Sequence, residues 1–387
     1  MKINKALFAG TYYTFFVLGI MVLMLGTIMP FLITDYHIDY GAGGIFLSMN
    51  SFGNLIASFA IGFIAARFGR KQTILVFSSF IFLSYLGVIL TKNVYILSGL
   101  FFLTGIGRGS VSNVDNSIIN DVATGKSVYL NLLHMSFAIG ALLSPLVAAL
   151  LINMGLSWKI VVYIGLFFSL TMVAMYAALP INQNATKKAV EVKDDGAGTK
   201  SPPFFKNISF LLAGGVLFFY LGTETSVNGW VVTYLIHSGR MSAELAQKTL
   251  SLFWAVMMAG RLATAALSVK IKKTTLILIQ TAGAVVMFIV FISSPSEALT
   301  VASVMVFALF LSGIFPTTFS ATGEIVKGSG AATGTILAFA GSGGIFLPLI
   351  VGFVAQSLNI MVGMGLVIIS AVLTFACALA LKIKDNA

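Results

Sequence analysis

The sequence predicts an all-α membrane protein with twelve transmembrane helices in two six-helix bundles, and three observations support this fold class. Of the 387 residues, 58% are hydrophobic and only 9% are charged, whereas soluble domains carry about 25% charged residues. Twelve apolar segments are long enough to cross a bilayer, which takes about 20 residues per helix. A polar stretch after the sixth segment divides the chain into two halves with six segments each.

The first six segments are predicted to form an N-terminal bundle over residues 1–180. Polar or charged turns separate them, and glycine is frequent (38 in the chain), as expected where membrane helices approach closely. The predicted spans are Leu7–Ile33, Gly41–Ala66, Gln72–Leu90, Val94–Asn120, Val128–Met154 and Trp158–Leu179.

Residues 181–206 are predicted to be a flexible cytoplasmic linker, because this stretch is polar and charged. The last six segments then form a C-terminal bundle over residues 207–387. Six spans, a linker and six more spans is an organisation typical of transporters with a binding site near mid-membrane. The predicted spans are Asn207–Ile236, Thr249–Val269, Thr274–Ile292, Leu299–Ile325, Ala331–Leu358 and Ile360–Leu381.

The formal net charge of +11 is explained by membrane topology rather than by a nucleic-acid partner. Lysines and arginines concentrate in alternate loops, and cytoplasmic loops carry that excess. With the N-terminus inside, the opposite side carries only Lys92, Lys159, Arg240 and Lys248. We therefore expect both termini in the cytoplasm of a multi-pass protein of the plasma membrane, most simply a bacterial inner membrane.

Enzyme chemistry is not expected from this sequence. The single cysteine, Cys377, excludes an intramolecular disulfide and a multi-cysteine metal site. The sequence has no phosphate-binding loop, paired-histidine metal motif or nucleophile elbow. We expect no cofactor and no bound metal. The expected partners are a small-molecule substrate, protons and the lipid bilayer, with the protein acting as a monomer.

The loop between the second and third spans carries a family motif. It reads GFIAARFGRK from Gly62 to Lys71 and resembles the loop signature of the major facilitator superfamily, in which a glycine, an arginine and a Gly-Arg-Lys cluster follow the second helix. Ala66 stands where that family usually has an aspartate. The resemblance implies gating roles for Arg67 and Arg70, and either arginine then needs a different partner.

Other stretches are similar to one branch of that superfamily, the fucose permeases and glucose/mannose:proton symporters. The seventh span has Glu224 and Trp230 in matching places, and the eighth has Trp254 and Arg261. The resemblance covers nearly the whole chain. It implies a secondary active transporter that works by alternating access and takes up a sugar or related small polar solute with protons. One departure is that the acid of span four, Asp115, comes about one turn later than in the branch.

Arg108 and Asp115 lie seven residues apart in span four, which places them on nearly the same helix face. A charge at the bilayer centre costs roughly 3 kcal/mol on insertion scales, so intramembrane charges are functional candidates by default. We expect Arg108 to bind substrate and Asp115 to couple protons. A structural ion pair between helices is the alternative.

Tyr220, Glu224 and Asn228 recur at every fourth position of span seven and form one polar stripe. Glu224 has no lysine or arginine within a turn on its own helix. It is expected near the bilayer centre, level with Arg108 of the other half. We predict that Glu224 couples protons and contacts substrate, with a buried structural acid as the alternative.

The remaining candidates are a gating pair and a set of sugar-binding groups. Arg261 lies toward the cytoplasm on the face of Trp254, and Glu324 at the end of span ten is a candidate partner for a gating ion pair. A purely structural role and a substrate contact are the alternatives for Arg261. Aromatic rings can stack on the apolar face of a sugar, and amides can bind its hydroxyls. The predicted substrate-binding residues are Arg108, Asn116, Glu224, Asn228, Trp230, Trp254, Tyr12 and Asn50.

Other functions remain open at this stage. Proton-driven efflux of drugs is one, although residues 100–103 lack the arginine that such antiporters usually carry early in span four. Transport of an organic anion (a sugar acid, a carboxylate or a phosphate compound) is another, which Arg108 and Arg261 would suit. A receptor role usually needs a signalling domain or long tail, and only a few residues follow Leu381.

Overall fold

A computed structural model describes residues 5–122, 127–181, 204–323 and 329–386. These residues are almost entirely helical and contain no strand, and twelve of their helical spans are long and apolar enough to cross a membrane. The predicted fold class is therefore confirmed. The helices are α1 Lys5–Asp35, α2 Tyr40–Phe68, α3 Arg70–Leu90, α4 Val94–Val122, α5 Ser127–Asn153, α6 Lys159–Ala178, α7 Ile208–His237, α8 Ala243–Leu267, α9 Lys273–Ser293, α10a Glu297–Leu311, α10b Ile314–Ala321, α11 Gly330–Ser357 and α12 Ile360–Asn386.

Side-chain caps explain two helix starts in the second half. The Asn207 side chain accepts hydrogen bonds from the backbone N–H groups of Ser209 and Phe210 (3.0 and 3.4 Å) and starts α7. Ser242 caps α8 in the same way, accepting from the Leu245 N–H (3.2 Å). This cap starts α8 six residues before the predicted Thr249, because a polar first turn can be helical without being apolar.

The tenth span is broken in its interior, whereas the sequence predicted one continuous helix. Pro316 lacks an N–H, and its ring clashes with the carbonyl four residues earlier, that of Ser312. The break therefore falls at Ser312 and Gly313. Glycine is required there, since a side chain at Gly313 would overlap Thr264 and Gln280, which are hydrogen-bonded to each other (2.8 Å).

The chain divides into two compact units, one of Met1–Ile28 with Met49–Lys200 and one of Met29–Ser48 with Ser201–Ala387. In the first unit α3 packs against α4 and α6; in the second, α7 packs against α8, α11 and α12. The predicted linker 181–206 lies mostly outside the described residues. The predicted boundary between the halves stays a prediction.

The second unit includes the end of α1 and the start of α2, which pack on α7 and α11. The Ser48 hydroxyl donates to the Ile345 carbonyl (2.6 Å), and the Tyr40 hydroxyl hydrogen-bonds His237 Nδ1 (2.9 Å). Gly43 leaves room for the Trp230 ring, which a Cβ would approach to 2.8 Å. Residues 29–48 are thus fastened to α7 and α11 by polar contacts and by packing.

Candidate functional site

The polar stripe of α7 faces α8 and is largely buried. Tyr220 is 1% exposed and Glu224 is 9% exposed, while Asn228 is half-buried. The side chain of Asn228 accepts a hydrogen bond from the indole N–H of Trp254 on α8 (3.2 Å). The spacing of four residues, read from the sequence, therefore does produce one face that contacts a neighbouring helix.

Arg261 joins this face from α8, two turns after Trp254. Its guanidinium carbon lies 6.0 Å from the centre of the Trp254 ring, within the range of a cation–π contact. The Tyr220 hydroxyl makes no hydrogen bond of standard geometry, but it interacts electrostatically with both Arg261 and Glu224. We call Tyr220, Glu224, Asn228, Trp254 and Arg261 the α7–α8 polar cluster.

Arg108 lies in the first unit and is bound by an amide. Its Nη1 donates to Asn50 Oδ1 on α2, and it interacts electrostatically with Tyr85. Gly105 allows this contact, since the backbones of α2 and α4 meet at the Asn50 carbonyl without space for a Cβ. Arg108 contacts no carboxylate among the described residues, and its buried Nε makes no hydrogen bond.

Asp115 is fully buried and held by two hydroxyls. Thr14 on α1 donates to Oδ2 and Tyr176 on α6 donates to Oδ1, both at 2.8 Å. The structure does not pair Asp115 with Arg108, although both lie on α4 seven residues apart. The neighbouring helices supply a separate set of partners to each residue: α2 to Arg108, and α1 and α6 to Asp115.

The loop after α2 gains a carboxylate partner from α4. Arg70 is 6% exposed, forms an ion pair with Asp121 (2.5 Å) and donates to the Ser117 hydroxyl (2.8 Å). The partner that Ala66 cannot provide thus comes from the end of α4. Arg67 is exposed, with its guanidinium 5.6 Å from the Phe68 ring. Glu324, the candidate partner of Arg261, lies outside the described residues.

The other predicted substrate-binding residues donate hydrogen bonds to backbone carbonyls. Trp230 is fully buried and donates from its indole N–H to the Pro348 carbonyl (3.0 Å). The Tyr12 hydroxyl donates to the Tyr129 carbonyl (3.2 Å). Asn116 is half-buried and donates to the carbonyl of Ser112 on its own helix (2.7 Å).

Sequence reasoning missed four groups that hold these charges: Thr14, Tyr176, Asp121 and Ser117. Thr14 and Tyr176 carry no signal, because isolated hydroxyl residues are common in apolar helices. Ser117 and Asp121 are four residues apart on α4, so the sequence alone predicts that they share a helix face. The residue types alone do not show which arginine they meet. No group of three or more potential metal-ligating residues occurs in the part of the chain that the structure describes.

Two relatives match different lengths of the chain. The glucose/mannose transporter GlcP of Bacillus subtilis is 23% identical over 96% of this chain and 93% of that protein. Major facilitator superfamily domain-containing protein 4A of Danio rerio is 32% identical over 149 residues, or 38% of this chain. The chain spans only 28% of the length of that second relative.

Solved transporter structures share the fold over essentially the full length. The nucleoside transporter NupG superimposes with a TM-score of 0.77 at 16% identity, covering 100% of both chains. A D-xylose-proton symporter superimposes with a TM-score of 0.78 at 14% identity, covering 98% of this chain and 97% of that one.

These findings confirm the predicted family and the prediction that the protein is not an enzyme. A family model described as Major Facilitator Superfamily matches residues 11–348. That range includes the first eleven spans, except for the start of α1 and the end of α11. The chain therefore belongs to the Major Facilitator Superfamily, and it is a multi-pass membrane transporter.

Proposed function

We propose that the chain takes up a sugar or related small polar solute together with protons, by alternating access. The α7–α8 polar cluster is the observation that carries this proposal. It places a buried acid, an arginine, an amide and an indole side by side within two spanning helices. Similarity to GlcP over nearly the full length supports a sugar as the substrate class.

Each member of the cluster has a chemical role in the proposal. Glu224 takes up and releases the proton, and Arg261 offsets its charge in the ionised state. Asn228 provides amide groups for substrate hydroxyls, and Trp254 provides a flat apolar surface for a sugar ring. Burying an acid and an arginine in spanning helices is costly, and both groups interact with the Tyr220 hydroxyl between them in this proposal.

Other residues are proposed for supporting roles. In the first unit Arg108, Asn50, Asn116 and Tyr12 are proposed substrate contacts, as is Trp230 in the second. Asp115 is a second candidate for proton coupling. We also propose gating roles for Arg67 and Arg70, both termini on the cytoplasmic side of a bacterial plasma membrane, and a monomeric protein.

Proteoliposome uptake tests this function. Labelled D-glucose is offered with and without an inward proton gradient, alongside other sugars and sugar acids. The wild-type protein is expected to accumulate D-glucose only with the gradient. Glu224→Gln should lose that accumulation by more than about tenfold, equivalent to about 1.4 kcal/mol, while still exchanging D-glucose across the membrane. Gradient-driven accumulation by Glu224→Gln would refute the role of Glu224.

A matched control is Glu244→Gln, which also neutralises an acid but on a partly exposed position of α8, where Glu244 pairs with Lys248. Its uptake should equal that of the wild-type protein. Equal uptake of D-glucose by the wild-type protein with and without the proton gradient would reject proton coupling. Uptake of none of the offered sugars would reject the substrate class.

A second candidate function is transport of an organic anion, and Arg108 favours it. Its guanidinium is bonded to a neutral amide, contacts no carboxylate among the described residues and has an unpaired, buried Nε. A substrate carboxylate could provide that missing acceptor. In the same vesicles, D-gluconate in place of D-glucose separates the two functions. Uptake of D-gluconate alone would favour the anion, and uptake of D-glucose alone would exclude it.

A further inference from the structure

We propose that Tyr220 is a positioning residue that links the charge of Glu224 to Arg261, and that Arg261 passes the change to the Trp254–Asn228 pair. The inference rests on the proposed function in taking Glu224 as the proton-carrying group. It adds a route by which protonation reaches the groups proposed to hold substrate.

The first step of this route is the buried Tyr220 hydroxyl. A phenol has one hydrogen to donate and can also accept, and a buried hydroxyl without any partner is unfavourable. Two charged neighbours interact with it, the Glu224 carboxylate and the Arg261 guanidinium. An ionised Glu224 attracts the hydroxyl hydrogen, and Arg261 can donate to the hydroxyl oxygen. The hydroxyl then bridges the two charges.

Protonation of Glu224 removes the negative charge that holds this arrangement. The Arg261 guanidinium then has only the neutral Tyr220 hydroxyl as a neighbour toward Glu224. Its guanidinium carbon still lies 6.0 Å from the centre of the Trp254 ring. A cation–π contact strengthens when its cation is not neutralised by another group. Arg261 is therefore expected to move toward Trp254, whose N–H is bonded to Asn228.

The ring of Tyr220 is buried beside the break in span ten. It borders a small cavity at the break between α10a and α10b, together with Thr223, Leu311 and Ile314. The ring of Phe315 lies 6.1 Å away in a tilted orientation.

Other charged groups of the second unit lie on other parts of its helices. Helices α10b and α11 have no ionisable side chain in their described residues. On α12, Cys377 packs beside Gly215, nine residues before Glu224, and Asp385 bonds Thr274. The remaining charged or histidine side chains among the described residues of this unit are Asp35, His37, Asp39, Lys206, His237, Arg240, Glu244, Lys248, Lys270, Lys272, Lys273, Glu297, Lys382 and Lys384. Arg240 binds carbonyls at the end of α9.

Tryptophan fluorescence can follow this route without any substrate. The chain has three tryptophans, and the difference between the intact chain and Trp254→Phe isolates the signal of Trp254. The purified protein in nanodiscs is titrated with acid and base, and each variant is checked for monodispersity and helix content. The Trp254 signal is expected to change with pH, and Glu224→Gln should abolish that change.

The decisive pair of variants is Tyr220→Phe and Tyr234→Phe. Each variant removes from α7 one buried hydroxyl that has no hydrogen-bond partner. Both tyrosines also interact with an arginine, Tyr220 with Arg261 and Tyr234 with Arg240. They differ in that Tyr234 interacts with no acid in the described structure. Tyr220→Phe should reduce the pH-dependent change of Trp254 by roughly half or more. Tyr234→Phe should leave it unchanged.

Each outcome has a distinct meaning. An equal pH-dependent change in Trp254 fluorescence in Tyr220→Phe and Tyr234→Phe would overturn the role of Tyr220. That holds even if Glu224→Gln abolishes the change and so supports Glu224 as the proton-carrying group. A pH response that survives in Glu224→Gln would overturn the whole route. Uptake of none of the offered sugars in the vesicle assay rejects the proposed substrate class, and the fluorescence result is independent of that outcome.

Discussion

Asp115 and Glu224 are both acids buried in spanning helices, but their surroundings differ. Asp115 accepts hydrogen bonds from two neutral hydroxyls on two other helices and has no exposed surface. Glu224 retains 9% exposure and faces a tyrosine that also interacts with an arginine. Neutral donors fasten a carboxylate in place, whereas a cation can be released when the carboxylate is neutralised. The difference favours α4 as a fixed element and α7 as the element that responds to protons.

The largest expected effect is the loss of the Asp115 carboxylate. Asp115→Ala leaves the buried Tyr176 hydroxyl without its acceptor and the Thr14 hydroxyl with only the Thr11 carbonyl of its own helix (2.9 Å), which costs about 2–3 kcal/mol of stability. Thermal unfolding in detergent should show a large decrease in melting temperature, with a smaller decrease for Asp115→Asn. An unchanged melting temperature together with lost proton coupling would reverse the assignment of roles to the two acids.

Glu224→Gln is expected to separate function from stability. The amide is close in size to the acid and leaves no donor of a standard-geometry hydrogen bond in the described residues without its acceptor, so we expect a change below about 1 kcal/mol in unfolding free energy. Proton-driven accumulation should nevertheless be lost. The same thermal unfolding assay measures this, and a destabilisation equal to that of Asp115→Ala would show that the two sites do not differ.

Arg70 provides an intermediate effect at the other end of α4. Its ion pair with Asp121 is only half-buried, because the Asp121 side chain is 42% exposed, so screening reduces its contribution. Arg70→Ala should cost about 1–2 kcal/mol, including the bond to Ser117. Arg67→Ala removes an exposed arginine and should stay within about 0.5 kcal/mol. Equal losses from the two variants would contradict the structural distinction.

The smallest effect is expected for the pair of Glu244 and Lys248. They are four residues apart on α8 and partly exposed, and such pairs contribute about 0.3–0.5 kcal/mol. Lys248→Ala should therefore change the melting temperature by little and D-glucose uptake not at all. A loss of uptake would place the start of α8 in the transport mechanism.

The twelve spans and the polar stripe of α7 were predictable from the sequence because both are local properties. A run of about 20 apolar residues defines a spanning helix, and a spacing of four residues defines a helix face. Helix periodicity also predicted that Trp254 and Arg261, seven residues apart, share a face of α8. Pro316 and Gly313 mark the break in span ten, but a hydrophobic pattern alone does not reveal it.

The partners of the charged residues were decided only by the tertiary structure. Asp115 is 101 residues from Thr14 and 61 from Tyr176, and Arg108 is 58 residues from Asn50. Helix periodicity indicates which residues share a face, but not which helix packs against that face. Arg108 and Asp115 therefore shared a face of α4 and still found separate partners, because α2 approaches Arg108 while α1 and α6 enclose Asp115.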